Sequence, residues 1–219
     1  MLRITSVEVQ KKNPHRFNIY LDGKFAFGAD EDTVVNFRLI TGKEISDEDL
    51  NKLIFEVEVG KLMERMYYLF NVRQRSEKEV RDYLKKLSFK RKIKDKEEIS
   101  EVVVENLIEK LKQKRLINDE EFAKAWIESR RKNKKKGKMA LKSELFQKGI
   151  NREIIEESLQ DTSVDEEKSL AMQAVQKKLE RWKNLPEMEF KKKVFEFLAR
   201  RGFDYEVVSD VIEKTMSLR

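Results

Sequence analysis

Residues 116–159 read LINDEEFAKAWIESRRKNKKKGKMALKSELFQKGINREIIEESL, and their pattern of capping and apolar residues predicts three short helices. Asn118 with Glu121 three residues later has the form of a capping box, in which side chains satisfy the free amides of a first helical turn. Gly149 stands where a second helix would end in a left-handed conformation, and Asn151 can then cap a third helix. This stretch therefore predicts one small three-helix repeat.

The repeat recurs on both sides of this stretch. The end of its second helix reads LKKLSF at 84–89, LFQKGI at 145–150 and LARRGF at 198–203, and successive copies start 61 and 53 residues apart. Pairs of apolar residues at helical spacing follow each copy. Chance similarity among amphipathic helices is the alternative, but the shared caps and spacing favour a tandem array.

The predicted fold class is therefore mainly α, a tandem array of three three-helix units with a small N-terminal cap that contains a β-hairpin. The predicted domains are an N-terminal β-rich extension with a short helix (1–45), a first helical repeat with a lead-in helix (46–117), a second three-helix repeat (118–161) and a third (162–219). A charged insertion, KRKIKDKEEI at 90–99, lengthens the first repeat.

The N-terminal residues alternate in the manner of β-strands. Asp22-Gly23 lies between two alternating segments and is a strong signal for a β-hairpin, in which Tyr20 would face Phe25. One face of this hairpin needs a cover, which we assign to the segment that follows it. The phenylalanines here could instead form a stacking surface for bases, but we favour burial against a helix.

Composition excludes several classes of site. The chain has 219 residues, 41% of them charged, with a net charge of +7 and a pI of about 9.3, which suits a polyanion or an acidic protein surface. The lack of cysteine rules out disulfides and thiolate metal sites. The single histidine, His15, is better explained as a turn residue than as a ligand, so we expect no metal and no cofactor. No apolar run reaches the roughly 20 residues needed to span a bilayer and no signal-peptide pattern is present, so we expect a cytoplasmic protein without a membrane partner.

The positive charge is clustered. Residues 130–138 contain seven Lys or Arg in nine residues, which is more than pairing within one helix can neutralise. The alternative for this run is a solvated helix face without a binding role. For Arg73 and Arg75, charge balance against Glu77 and Glu79 is as well supported as a binding role. Trp126 and Trp182 could stack on bases, but we favour packing. The candidate partner-binding or DNA-binding residues are Arg73, Arg75, Arg130, Arg131, Lys132, Lys134, Lys135, Lys136, Lys138, Lys191, Lys192, Lys193, Arg200 and Arg201.

Several of these segments resemble the RecX family. RQRSEKEVRDYL at 73–84 and LINDEEFAKAW at 116–126 look like its signature segments, and LDGKFAFG at 21–28 resembles the extension that many members carry. The resemblance covers nearly the whole chain, although no single motif is chemically diagnostic. The chain departs from the family pattern in its insertion at 90–99 and in the 133–138 loop, where Lys stands in place of a more usual proline.

The resemblance implies a bacterial regulator of RecA that is not an enzyme. Members of this family lodge in the groove of the RecA–single-stranded-DNA filament, inhibit strand exchange, ATP hydrolysis and coprotease activity, and favour filament disassembly. The expected partner is therefore the RecA filament on single-stranded DNA, with direct DNA contact as a further expectation, and we expect a monomer.

Three other classes of function remain open. A free-standing helical-repeat protein that acts on DNA alone would bind naked DNA with a steep salt dependence. An enzyme is disfavoured because the sequence has no Walker-type glycine-rich loop and no histidine-based constellation. A structural scaffold would depend on neither DNA nor RecA.

Overall fold

The computed structural model describes residues 1–217, in which a series of helices follows a small antiparallel sheet. The strands are β1 (Leu2–Gln10), β2 (Asn13–Leu21), β3 (Lys24–Asp30) and β4 (Glu44–Ile45). The helices are α1 (Glu31–Asn36), α2 (Asp47–Val72), α3 (Glu77–Lys92), α4 (Glu101–Gln113), α5 (Asp119–Lys134), α6 (Lys138–Gln147), α7 (Arg152–Ser158), α8 (Val164–Trp182), α9 (Glu187–Ala199) and α10 (Tyr205–Ser217). The predicted fold class is confirmed.

The described chain packs as two compact units. The first contains residues 1–74 and 81–117, and the second contains residues 75–80 together with the chain from Asn118 onward. The first turn of α3 therefore belongs to the second unit, and the rest of α3 belongs to the first. The domain boundaries expected from the sequence stay a prediction.

The sheet of the first unit has the order β3-β2-β1-β4. The hairpin predicted at Asp22-Gly23 is present, because both residues adopt the left-handed backbone of a two-residue turn and Tyr20 pairs with Phe25. The sequence did not predict β4, in which Ile45 pairs with the start of β1. A strand of two residues is too short to show an alternating pattern.

Helix α2 covers the buried face of this sheet. Ser46 caps it, with the side chain accepting the N–H of Asp49 at 3.1 Å. Leu53 and Val57 on α2 are almost fully buried and belong to the same core as the inward-facing residues of the strands. Gly60 does not interrupt the helix, which continues to Val72.

Besides residues 75–80, the second unit contains two three-helix repeats with separate cores. Asn118 Oδ1 accepts the N–H groups of Glu120 at 3.1 Å and Glu121 at 3.0 Å, so the predicted cap of α5 is confirmed. Helix α6 ends at Gln147, two residues before Gly149, which adopts the predicted left-handed conformation with φ +79°. The core of the first of these repeats includes the buried face of α6, with Leu145, and the core of the second includes the buried face of α9.

Candidate partner-binding surface

The basic run at 130–138 lies at the junction between α5 and α6. Helix α5 extends to Lys134 and α6 begins at Lys138, so the loop expected at 133–138 spans only residues 135–137. Lys135 ends the helix in the left-handed conformation, and Gly137 is the N-cap of α6. The run therefore places four of its seven cations at the end of a packed helix, where neighbouring helices can reach some of them.

Glu144 on α6 accepts hydrogen bonds from two side chains of α5. Its Oε2 accepts from Arg130 Nε at 2.7 Å and from Trp126 Nε1 at 2.9 Å, and Lys136 Nζ lies 3.7 Å from its Oε1. The Arg130 guanidinium also stacks over the Trp126 ring, 4.1 Å from its centroid. Arg130 thus makes an internal contact between two helices, and Trp126 packs against the core as expected.

Arg131 is held by residues near the start of α8. Its Nη2 donates to Thr162 Oγ1 at 2.8 Å and to Glu167 Oε1 at 3.3 Å. The other oxygen of Glu167, Oε2, accepts the backbone N–H of Lys138 at 3.1 Å, which places a carboxylate at the start of α6. Glu167 is only 5% exposed, and this burial raises its pKa. The hydrogen bond from the Lys138 N–H and the positive charge of Arg131 act in the opposite direction but do not cancel the effect of burial.

Three cations of the run are open to a partner. Lys132 and Lys134 are exposed and Lys135 is half-buried, and their side chains make no hydrogen bond or ion pair with any described residue. Lys132 and Lys135 also line a shallow cleft of about 490 Å³ whose floor includes Ile127 and Leu170. These side chains can meet an anionic partner without first breaking an internal contact.

The end of α9 lies next to this surface. The Arg201 guanidinium donates to the backbone carbonyl of Lys134 and stacks 4.5 Å from the centroid of Phe197, and burial lowers its pKa. Arg200 is exposed, and its side chain makes no hydrogen bond or ion pair with the described residues. The structure therefore brings the C-terminal ends of α5 and α9 together, with Arg201 fixed and Arg200 open.

The remaining predicted cations lie at the surface. Lys191 pairs with Glu187 one turn earlier at 2.5 Å, whereas Lys192 and Lys193 are exposed on α9. Lys138 is half-buried at the start of α6. Arg73 and Arg75 stand in the predicted loop before α3, and Arg73 Nη1 donates to the Gln74 carbonyl at 2.8 Å. The binding role of each of these residues stays a prediction.

Sequence reasoning missed a contact that occurs twice in the second unit. In the first instance the loop after α6 lies on the first turn of α3, where Ser76 Oγ accepts the N–H of Glu79 at 3.3 Å and donates to the Lys148 carbonyl at 2.7 Å. The N–H of Glu77 donates to Asp119 Oδ1 at 3.0 Å. We call this the first joint; it comprises Ser76–Glu79, Asp119, Lys148 and Gly149.

The second instance has the same arrangement one repeat later. The loop after α9 lies on the first turn of α6, where the N–H of Gly137 donates to the Arg201 carbonyl at 2.8 Å. Glu167, which accepts the N–H of Lys138, takes the position that Asp119 has in the first joint. We call this the second joint; it comprises Gly137–Ala140, Glu167, Arg201 and Gly202.

Residues 1–217 contain no group of His, Cys, Asp and Glu side chains arranged to hold a metal ion. Within the same range, no helix is both long enough and apolar enough to cross a bilayer.

Comparison with known proteins places the chain in a family. Its residues 2–46 match the model of the regulatory protein RecX N-terminal domain, 118–159 match the RecX second three-helix domain, and 165–212 match the RecX third three-helix domain. A regulatory protein RecX from Bacillus velezensis is 37% identical over 212 residues, which cover 97% of this chain and 77% of that protein. The chain belongs to the RecX family.

Other RecX proteins extend this relationship to the full length of the fold. The regulatory protein RecX of Clostridium beijerinckii is 33% identical, with 100% of this chain and 98% of that protein covered. A crystal structure of regulatory protein RecX superimposes with a TM-score of 0.76 at 29% identity, covering 97% of this chain and all of the other. The glycine loops of both joints lie within the matched three-helix domains, whereas the first turn of α3 lies between the matched ranges.

Proposed function

We propose that this chain regulates RecA by binding in the groove of the RecA–single-stranded-DNA filament. It would inhibit strand exchange, ATP hydrolysis and coprotease activity and favour disassembly of the filament, without catalysing a reaction itself. The observation that carries the proposal is the relationship to proteins named as regulatory along nearly the whole chain. We also propose that the protein acts as a cytoplasmic monomer.

The open cations supply the chemistry for such a contact. Lys132, Lys134, Lys135 and Arg200 lie at the adjoining ends of α5 and α9 and are available to phosphates or to carboxylates of RecA. Exposed cations of this kind accelerate association and make it sensitive to salt. Lys138 on α6 and Lys191, Lys192 and Lys193 on α9 belong to the same unit and stay candidate contacts. Arg73 and Arg75, just before α3, stay candidates for a separate contact. Four further cations make internal contacts with neighbouring helices and so support this surface rather than face a partner; they are Arg130, Arg131, Lys136 and Arg201.

The decisive experiment is a titration of this protein into a DNA-dependent ATPase assay of RecA from the same organism, at two salt concentrations. We expect inhibition at concentrations well below those that coat the DNA, which would indicate action on the filament. Inhibition only when the DNA is saturated would favour a protein that acts on DNA alone. An unchanged rate at all concentrations would contradict the proposal.

The open lysines give a matched pair of variants for this assay. Changing Lys132, Lys134 and Lys135 to Ala should raise the concentration for half-inhibition about tenfold or more, since three charge contacts are lost. The control changes Lys11, Lys12 and Lys177 to Ala, which removes the same charge from exposed positions elsewhere. Equal inhibition by the two triple variants would show that net charge, not this surface, determines binding.

A further inference from the structure

The first unit contains a broad groove that the proposed function does not use. It runs between the β2–β3 turn, the outer face of α2 and the connection from α3 to α4, and its volume is about 1310 Å³. All of its lining residues belong to the first compact unit. The α3–α4 connection includes the charged insertion at 90–99 and lies outside the three matched family ranges. The groove is therefore partly built by a segment that the three family models do not cover.

The groove carries an excess of unneutralised positive charge. The groove has four acidic residues. Glu58 is paired with Arg91, Glu98 is paired with Lys92 at 2.7 Å, Asp22 accepts the backbone N–H of Arg3, and Glu97 is exposed. Six cations of the lining form no ion pair with any residue from 1 to 217; they are Lys24, Lys61, Arg65, Lys90, Lys94 and Lys96. They lie on all three walls, so an anionic strand in the groove would meet cations from each side.

The same groove displays an aromatic ring at its edge. Phe25, at the start of β3, is 59% exposed, and Tyr20 holds it from the neighbouring strand in an edge-to-face contact with 5.9 Å between ring centroids. On α2, Ile54 is 49% exposed and Phe55 is half-buried along the floor. The predicted burial of phenylalanine holds for Phe27 but not for Phe25, whose ring faces solvent on a rigid hairpin.

We propose that this groove binds single-stranded nucleic acid, with the lysines on the phosphates and Phe25 stacked on a base. An open groove that combines cations with an exposed, fixed ring is the arrangement by which single strands are bound without sequence preference. A peptide of acidic residues alone would use the cations but has no planar ring to stack on Phe25. A duplex keeps its bases stacked inside and likewise leaves Phe25 without a base to contact.

This site stands apart from the proposed function, because it requires no RecA. The probe is therefore a short fluorescein-labelled oligothymidylate, and its anisotropy is measured with the full chain in the absence of RecA at several salt concentrations. The wild-type chain should bind with an affinity that falls as salt is added. Failure to bind the oligonucleotide at low salt would overturn the proposal while leaving the RecA assay unaffected.

Two groove variants separate the charge contacts from the stacking contact. Changing Lys90, Lys94 and Lys96 to Ala should weaken binding about tenfold and reduce the slope of log affinity against log salt by about 2, since each single-strand phosphate contact contributes about 0.7 to that slope. Phe25→Ala should weaken binding about fivefold with the slope unchanged, because stacking releases no counterions. All four side chains are exposed, so the variants should keep the wild-type circular dichroism and melting temperature.

The matched control is the variant in which Lys132, Lys134 and Lys135 are changed to Ala, because it removes the same charge from the second unit. Oligonucleotide binding that is weakened equally by both triples would overturn the assignment to this groove. Binding of polyglutamate or of a duplex as tight as that of the single strand, with no effect of Phe25→Ala, would also overturn it. A Phe25→Trp variant gives a direct readout, since its added fluorescence should be quenched when a base stacks on the new indole; an unquenched signal would contradict stacking.

Discussion

The two joints of the second unit make the same contact with different chemistry. In both, the loop after one second helix lies on the first turn of an earlier second helix, and an acidic side chain accepts the first N–H group of that turn. In the first joint side chains make the contact, through the Ser76 hydroxyl and through Lys148, whose Nζ lies 2.5 Å from Glu79 Oε1. In the second joint the backbone of Gly137 meets the backbone of Arg201 directly.

This difference sets how each joint can be broken. A hydroxyl or an ion pair can be deleted one group at a time, and the surrounding backbone can stay in place. A direct backbone contact has no group to delete, and it is disrupted instead by any atom added between the chains. A Cβ built on Gly202 would overlap the backbone nitrogen of Ala140, whereas a Cβ built on Gly149 would lie 2.5 Å from Lys78 Cβ.

The largest effect is expected from Gly202→Ala in the second joint. The new methyl group overlaps backbone that cannot rotate away, and φ is +81°, so steric overlap and backbone strain together should cost about 4 kcal/mol of unfolding free energy. Urea unfolding followed by tryptophan fluorescence measures this, because both tryptophans lie in the second unit. A loss below about 1 kcal/mol would show that the two backbones are not in close contact.

A smaller loss is expected from Gly149→Ala in the first joint. Its φ of +79° imposes the same strain, but the neighbouring atoms belong to one lysine side chain, so we expect a cost of about 2–3 kcal/mol. Gly23→Ala is the control, because φ is +80° there and no atom lies within 4 Å of the added Cβ. It should cost only about 1 kcal/mol, measured by circular dichroism. Equal losses of unfolding free energy for Gly149→Ala and Gly23→Ala would mean that the loop after α6 is not in close contact with Lys78 on α3.

Ser76→Ala should cost about 1–2 kcal/mol, because it removes the cap of α3 and leaves the Lys148 carbonyl without its donor. Ser76 is fully buried, so water cannot replace the hydroxyl without rearrangement. Ser163→Ala is the matched control, since Ser163 caps α8 at an exposed position and bonds no other loop. The same urea titration compares the two, and an equal loss would reduce the role of Ser76 to that of an ordinary cap.

The local elements of this fold were predictable from the sequence, and the joints were not. Asn118, Gly149 and the Asp22-Gly23 turn act on their own segment of chain, so capping and turn rules identify them. The contact from Lys148 to Ser76 joins residues 72 positions apart. The sequence pattern of one helix does not indicate which distant backbone carbonyl will accept a hydrogen bond from its serine hydroxyl. The repeated loop motif was visible in the sequence, but its contact partner was not.

The candidate surface was predictable in its location but not in its composition. Counting charges identified the 130–138 run, yet it treated Arg130 and Arg131 like the lysines that follow them. Their acidic partners, Glu144 and Glu167, lie 14 and 36 residues away in the sequence. Charge density within a segment cannot reveal such partners, and only the packing of α5 against α6 and α8 separates the engaged cations from the open ones.

The acids of the two joints differ in burial, and this difference should appear as a pH dependence. Asp119 is half-buried at the first position of α5, whereas Glu167 lies one turn into α8 and is almost fully buried. Burial raises the pKa of Glu167 against the opposing influence of Lys138 and Arg131, with a smaller raising influence from Asp204. The folded chain therefore holds this proton more tightly than the unfolded chain does.

The smallest effect is therefore expected from Glu167→Gln, which preserves shape and one acceptor oxygen. In the wild type, the contribution of Glu167 to stability is complete below the ordinary pKa of glutamate and is lost as pH rises through the raised value of the folded state. The variant lacks this loss, so its stability relative to the wild type should increase from acidic to neutral pH. Urea unfolding across that range measures the difference, with Glu166→Gln at the adjacent exposed position as the control. A relative stability that decreases toward neutral pH would mean that Arg131 and the start of α6 favour the carboxylate strongly enough to outweigh its burial.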